Sequence, residues 1–480
     1  MSANKLIFDV DGKPSFGKLL VFAFQQVLAV LAATIAVPTI IGLPVQIPAA
    51  ILGAGLGTLV YLVFTKFKSP VVISSSFAFL GALANAVAFG YMGILLGGLF
   101  AGLVYVIIAI IIKFAGTRWV EKLMPPVIIG PTVALIGLSL AGAAMGDIVK
   151  ASASQINGGY NLVGLACGLV TFFTVVILSV QNRFKAGRLL PFILGIAAGY
   201  AVAAIFTGIG YAANLDYLKV IDYTPIINNF KNITVESFLT YPRFALIGGI
   251  KELADGAVSP EILAANADAQ VITPIGVAEV ALAFVPVAFV TFAEHIADHK
   301  NLSSIINKDL ITEPGLSRTL LGDGVGSMVG TVFGICPNTT YGESVGCVAI
   351  TKNASVRTIF VAALMLIVLS FLTPVTAALR TIPSCVMGGV CLTLYGFIAV
   401  SGLKMFQQVD LNKSKNLFTV AAILISGIGG LAIQIPYAIA NDGAVEKTIQ
   451  ITSIATALIL GIITMVVTNA VEKRNAPEEE

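Results

Sequence analysis

The sequence predicts an all-α polytopic membrane protein. Its fourteen transmembrane segments form a seven-plus-seven inverted repeat, with two short extended strands in segments 3 and 10. Three observations predict it. The 480 residues are 57% hydrophobic and only 11% charged, where a soluble domain carries about 25% charged residues. Mean hydropathy is +0.95, and the apolar residues fall in runs near the roughly 20 residues that a hydrocarbon core about 30 Å thick requires. The basic residues alternate between the two sides of those runs. A water-soluble enzyme is excluded, and so is a nucleic-acid binder: the net charge of +3 leaves no pole for a polyanion.

Asp9, Asp11 and Lys13 precede the first apolar run, so no signal peptide is expected there. The runs lie at residues 17–37, 47–65, 72–90, 92–112, 125–146, 161–181, 189–209, 275–297, 317–335, 339–351, 357–379, 383–403, 416–436 and 448–469. The tenth is too short to span as a helix alone. With the N-terminus placed in the cytoplasm, twenty-one of the 28 Lys and Arg residues fall inside and seven outside, as the positive-inside rule demands. Both termini are therefore expected in the cytoplasm of a multi-pass cell-membrane protein. The long stretch at 211–274 is expected to be a solvated outer loop, with 244–265 a candidate surface helix. The five cysteines are odd in number, form no CxxC and sit in apolar stretches, which reads as buried small hydrophobes.

Seven segments per half is an odd number, so the second half enters from the opposite side and the repeat is inverted. The third segment of each half is broken. Segment 3 begins Ser69-Pro70-Val71-Val72-Ile73-Ser74-Ser75-Ser76-Phe77, and segment 10 begins Cys336-Pro337-Asn338-Thr339-Thr340-Tyr341-Gly342-Glu343. Proline removes a donor and disfavours helix in the residue before it, and Ser and Thr side chains compete for backbone bonds. Each break reads as a short extended piece followed by a half-helix. Extended backbone at membrane depth is tolerated only where protein or a water-filled cavity covers it. Two such pieces in matching positions point to a binding site, with helix N-termini aimed at the ligand.

Few acids fall within segments. Glu294 and Glu343 stand beside the breaks, Asp323 between two glycines in segment 9, and Glu279 near the outer end of segment 8. A charge at the bilayer centre costs several kcal/mol, so Glu294 and Glu343 are read as functional. Asp298 lies one helical turn from Glu294, and two close carboxylates in a cavity cannot both ionise cheaply. His295 and His299 share a helical face like two metal ligands, but the order is not HExxH and no third ligand is evident. His299 also falls at the expected membrane edge. A proton-handling role for His295 is preferred to a metal. Phe77, Tyr341 and Tyr395 supply aromatic walls. Carboxylate acceptors, free backbone N–H donors and ring faces together suit a planar heterocycle carrying both N–H and C=O groups, such as a nucleobase.

The strings Pro337-Asn338-Thr339-Thr340-Tyr341-Gly342-Glu343, Ala293-Glu294-His295 and Ser75-Ser76-Phe77-Ala78-Phe79 resemble the nucleobase–ascorbate transporters, specifically their bacterial uracil permease branch. The likeness runs over nearly the whole chain. It implies a core domain of segments 1–4 and 8–11 (14–114 and 275–380) and a gate domain of segments 5–7 and 12–14 (115–210 and 381–470), followed by a tail at 471–480. It also implies proton-coupled uracil uptake by a homodimer, driven by the proton gradient with no cofactor. Carried over by position, Glu294 and Glu343 would hydrogen-bond the ring, and the amides of Phe77 and Gly342 would donate to its carbonyls. Ala33, Tyr341 and Tyr395 would line the pocket, and Glu294, Asp298 and His295 would carry proton coupling. Two positions depart from that branch: Asp298 stands where it has His, and Gln25-Gln26 stands where it has a Gln-His pair. A proton-coupled purine permease and an intramembrane metal enzyme using His295, Asp298 and His299 are the competing readings. An anion carrier would want a basic residue at the breaks, and the sequence has none there.

Overall fold

The computed structural model describes residues 6–149, 161–181, 183, 187, 190–239, 241–439 and 445–475. Lys5, Lys150, Lys185 and Arg188, which entered the charge alternation, lie outside the described residues, as do the last five residues of the tail. The first half contains α1 (Phe16–Ile40), α2 (Ile47–Phe64), β1 (Ile73–Ser75), α3 (Leu80–Val87), α4 (Gly90–Ala115), α5 (Arg118–Leu123), α6 (Pro126–Val149), α7 (Leu162–Val180) and α8 (Pro191–Ala212). Three short helices follow: α9 (Thr224–Lys231), α10 (Ala245–Asp255) and α11 (Pro260–Ala265). The second half contains α12 (Pro274–Ile306), α13 (Leu316–Phe333), β2 (Asn338–Thr340), α14 (Gly342–Thr351), α15 (Val356–Phe371), α16 (Thr373–Leu379), α17 (Ser384–Met405), α18 (Ser414–Ile428), a hairpin of β3 (Ile433–Ile439) and β4 (Val445–Ile451), and α19 (Ser453–Asn475).

Among the described residues nine helices are long and apolar enough to cross a membrane. The five other segments expected from the sequence are shorter or more polar. They comprise α3 with the turn before it, the Asp323-bearing α13, the ten-residue α14, α15 and α18. The chain is a polytopic, mostly helical membrane protein.

Several boundaries differ from expectation for physical reasons. Helix α12 runs 33 residues, well past the expected end at 297. Nothing stops it before Asn307, which caps it in the left-handed conformation at φ 53°. His299 is buried, at 1% exposure. The expected segment 357–379 breaks at Leu372, extended at φ −83° and ψ 94°, into α15 and α16; Pro374 lacks the N–H that would continue the α15 ladder and sits instead in the first turn of α16. Helix α18 ends at Ile428, just before Gly429 and Gly430, the latter at φ 75°. The residues read as the end of segment 13 instead form the β3–β4 hairpin, with Ile433 opposite Ile451 and Ile435 opposite Ile449.

The stretch 211–274 is not simply a solvated loop. Glu252 of α10 is buried, accepting from Tyr91 N at 2.7 Å and from Ser259 N at 3.0 Å. The carboxylate caps the positive N-terminus of α4. Gln270 N also donates to the Ala88 carbonyl at 2.9 Å, so this stretch is tied to the N-terminal end of α4.

Helices α2, α4, α12, α13 and α15 pack against one another, and α6, α7, α17, α18 and α19 form a second set of neighbours. Close approach in the first set depends on glycine. A Cβ on Gly57 of α2 would lie 2.5 Å from Asn338 Nδ2 and 2.8 Å from the Gly326 carbonyl of α13. Small residues let helix backbones touch where lipid gives no hydrophobic drive for association.

Candidate functional site

The site is built where two broken segments meet. Strands β1 and β2 pair antiparallel, with Ile73 opposite Thr340, Ser74 opposite Thr339 and Ser75 opposite Asn338. Ser76 N donates to the Pro337 carbonyl at 3.0 Å and extends the pairing by one bond. The two strands thereby satisfy part of each other's backbone inside the protein, as the absence of water at that depth requires. Side chains secure the pair. Asn338 Nδ2 donates to the Gly53 carbonyl at 2.8 Å, Ser74 and Thr34 share a 2.6 Å hydroxyl contact, and the Tyr341 hydroxyl donates to the Ser75 carbonyl at 3.1 Å. Ser344 knits three elements. Its Oγ accepts from Val72 N at 3.0 Å and donates to Gln26 Oε1 on α1 at 2.9 Å.

Beyond each strand a helical piece begins: a 3-10 turn over Phe77–Phe79 leading into α3, and α14 at Gly342. No side chain caps the N-terminus of α14, so its first-turn N–H groups and positive dipole end are open to a ligand. Helix α12 crosses beside them. A cavity of about 750 Å³ opens here, walled by Phe77, Glu294, Asp298, Tyr341, Gly342 and Glu343. Glu294 Oε2, Asp298 Oδ2, Glu343 Oε1 and Thr340 Oγ1 are buried with no hydrogen-bond partner among the described residues. Buried polar atoms are ordinarily satisfied. Three carboxylate oxygens left open around one cavity make a strong acceptor set for N–H donors. The cavity continues past Asn301 and Ile305 on α12, Ser179 on α7 and Lys404 on α17.

His295 does not reach this cavity. It points to the other side of α12, where its Nδ1 lies 2.7 Å from Asp323 Oδ2 and its Nε2 lies 3.0 Å from Thr319 Oγ1. Both members of the pair are fully buried. His299 stacks on His295 with ring centroids 4.0 Å apart. Its Nδ1 donates to the His295 carbonyl at 2.8 Å, and its Nε2 lies 2.8 Å from the Tyr61 hydroxyl, which also meets Ser69 at 2.7 Å. Among the described residues no cluster of three or more His, Cys, Asp or Glu side chains is placed to hold a metal ion.

Of the residues singled out in the sequence, Glu294, Asp298, Glu343, Phe77, Tyr341 and Gly342 meet at the cavity. Tyr395 stands one layer behind. It is 2% exposed and packs edge-on against Phe77 at 5.1 Å. Ala33 is fully buried away from the wall, and α1 contributes Leu28 and Ala29 instead. Thr340 and the Gln26–Ser344 tie were missed. The Ser-Thr richness of the breaks was the available signal for both.

The chain matches the permease family over residues 17–436. It is 35% identical to the uracil permease of Bacillus caldolyticus over 469 residues, covering 96% of this chain and 94% of that protein. It is 32% identical to the uracil permease of Bacillus subtilis strain 168, covering 100% and 99%. The uracil permease of Escherichia coli strain K12 is 31% identical, with 94% and 92% covered. Among solved structures, the transmembrane domain of the cyanobacterial bicarbonate transporter BicA superposes with a TM-score of 0.51 at 14% identity, covering 95% of this chain and 99% of that one. Murine Solute Carrier 26 family member A9, an anion transporter in the inward-facing state, gives 0.57 at 11% identity, covering 96% and 69%. At that identity the likeness concerns the fold. The breadth of the sequence match settles the relationship: this chain belongs to the nucleobase–ascorbate transporter family of permeases and is a multi-pass membrane transporter, not an enzyme.

Proposed function

We propose that the chain is a proton-coupled symporter that imports uracil by alternating access. The observation that carries this reading is the cavity between the two breaks, where Glu294 and Glu343 each hold an unpartnered carboxylate oxygen beside Phe77, Tyr341 and the open N-terminus of α14. Uracil offers two ring N–H donors and two carbonyl acceptors in one plane. The carboxylates complement the first, the amides of Gly342 and Phe77 complement the second, and the aromatic rings cover the faces. Full-length similarity to three uracil permeases supports the same substrate.

Fourteen segments in two inverted sevens, with segments 1–4 and 8–11 as core and 5–7 and 12–14 as gate, accord with the two sets of packed helices. Charge alternation supports cytoplasmic termini. The cavity then runs from the site toward the cytoplasmic ends of α7, α12 and α17, which suits an inward-open conformation. Proton coupling is assigned to Glu294 and Asp298, which share the cavity wall one turn apart, with the His295–Asp323 pair behind them. A homodimer in the cell membrane completes the proposal. An anion carrier is disfavoured, because the site presents three carboxylates.

Uptake of radiolabelled uracil into proteoliposomes under an inward proton gradient tests the proposal, with xanthine, thymine and ascorbate as competitors. Saturable uracil accumulation that collapses with the gradient is expected. Preferential block by xanthine would move the chain to the purine reading, and accumulation indifferent to the gradient would remove proton coupling.

A further inference from the structure

A second cavity of about 490 Å³ shares none of the wall residues of the carboxylate site. Val10, Asp11, Lys13, Phe67, Arg357 and Phe360 line it. Its shape is set by the segment before α1, which lies along the linker between α14 and α15. Ile7 N donates to the Lys352 carbonyl at 2.8 Å, Ala354 N to Phe8 O at 2.8 Å, Val356 N to Val10 O at 3.1 Å, and Ser355 Oγ to Gly12 O at 2.7 Å. The wall carrying Lys13 is thus held beside the first turn of α15.

Two cations face this cleft, and among the described residues neither Lys13 nor Arg357 has an ion-pair partner. The acid in the wall, Asp11, is engaged elsewhere, 3.6 Å from Lys308. Below the cations the surface turns apolar. Phe360, Leu364 and Val368 form an exposed stripe along α15, and Val63 and Phe67 are exposed on the neighbouring α2 and its following turn. The Phe67 and Phe360 rings approach to 6.4 Å. A soluble anion would use the cations and leave the aromatic floor and the stripe uncovered. A molecule with an anionic head and apolar tails would use all of it.

We propose that this cleft binds the headgroup phosphate of an anionic phospholipid through Lys13 and Arg357, with its acyl chains along the Phe360–Leu364–Val368 stripe. The N-terminus of α15 adds its dipole to the two side-chain charges. Binding there would hold the N-terminal segment against α15 and is independent of the transported substrate.

The test uses the full-length purified protein in detergent, with phosphatidylglycerol, phosphatidylcholine or inorganic phosphate added. Retention of lipid is read by native mass spectrometry, and stabilisation by thermal unfolding. The wild type is compared with the Lys13→Gln/Arg357→Gln double variant and with a Lys413→Gln/Lys473→Gln control that removes the same charge elsewhere. Each cation near an anionic head contributes about fivefold in affinity, so the double variant should hold phosphatidylglycerol roughly thirtyfold more weakly. The control should match the wild type. Equal retention of phosphatidylglycerol and phosphatidylcholine by the wild type would overturn the proposal, whether or not the double variant folds. Equal loss in the control would reduce it to general surface charge. The same stabilisation by inorganic phosphate would replace the lipid with a soluble anion.

Discussion

Glu343 stands in the first turn of α14, on the cavity wall, with Oε1 buried and unpartnered. An acceptor held open at such a cost is set up for a donor that arrives with the ligand. Glu343→Gln removes the charge and puts an N–H₂ group where an acceptor is needed on at least one rotamer. A hydrogen bond to a charged partner contributes about 1.5–3 kcal/mol, so uracil affinity should fall ten- to a hundredfold or more. Isothermal titration of the purified variant measures this, and unchanged affinity would take Glu343 out of the site. Tyr341 has two jobs that sequence alone did not separate. Its ring faces the cavity, and its hydroxyl ties β2 to the Ser75 carbonyl of β1. Tyr341→Phe should cost about 1 kcal/mol of stability through the lost bond and leave affinity within a few fold. Tyr341→Ala should lose both functions. Parallel thermal unfolding and titration distinguish the two, and weak binding in a fully stable Phe variant would show that the hydroxyl itself meets the ligand.

At the scale of elements, the strand pair depends on how closely α2 and α13 approach. Gly57→Ala would drive a methyl against Asn338 Nδ2 and the Gly326 carbonyl. Asn338 would have to release the Gly53 carbonyl, and β2 would shift with it. Overpacking of this kind costs about 1–3 kcal/mol, so both thermal stability and uracil affinity should drop. A variant that loses stability but binds normally would uncouple β2 from this contact. The breaks themselves were legible, because Pro70 and Pro337 followed by Ser and Thr runs cannot continue a helix. The carboxylates were legible because acids are rare in apolar runs. Other features depended on partners remote in sequence. His295 meets Asp323 across 28 positions, and no periodicity announces such a pair. Glu252 lies in the stretch expected to be a solvated loop and is a buried cap because α4 offers it an N-terminus. The β3–β4 hairpin was absorbed into apolar runs, since alternation over seven residues is hard to separate from helix by hydropathy alone. Helix α12 outruns its expected end because the polar residues His299 and Lys300 interrupt the apolar run without interrupting the helix.

For the molecule as a whole, the alternating access proposed above needs the cavity to open to each side in turn while charge inside it stays affordable. Glu294 and Asp298 face the same space from successive turns of α12, each with an unpartnered oxygen, and Glu343 faces them across it. Three carboxylates cannot all be ionised there without a counter-cation. On the proton-coupling proposal, a proton held by one of them accompanies the site and couples substrate movement to the gradient. An Asp298 oxygen lies 3.7 Å from the position a Gly342 Cβ would take, so its charge sits close to the start of α14. Asp298→Asn keeps the size and removes the titration. Exchange of labelled for unlabelled uracil across proteoliposomes needs no net proton movement and should persist within a few fold of the wild type. Accumulation under an inward proton gradient should fall toward simple equilibration. Measuring both in the same preparation separates a coupling defect from a binding defect. Wild-type accumulation by the variant would exclude Asp298 as the proton carrier and transfer the role to the His295–Asp323 pair, for which His295→Gln would be the next variant in the same assay.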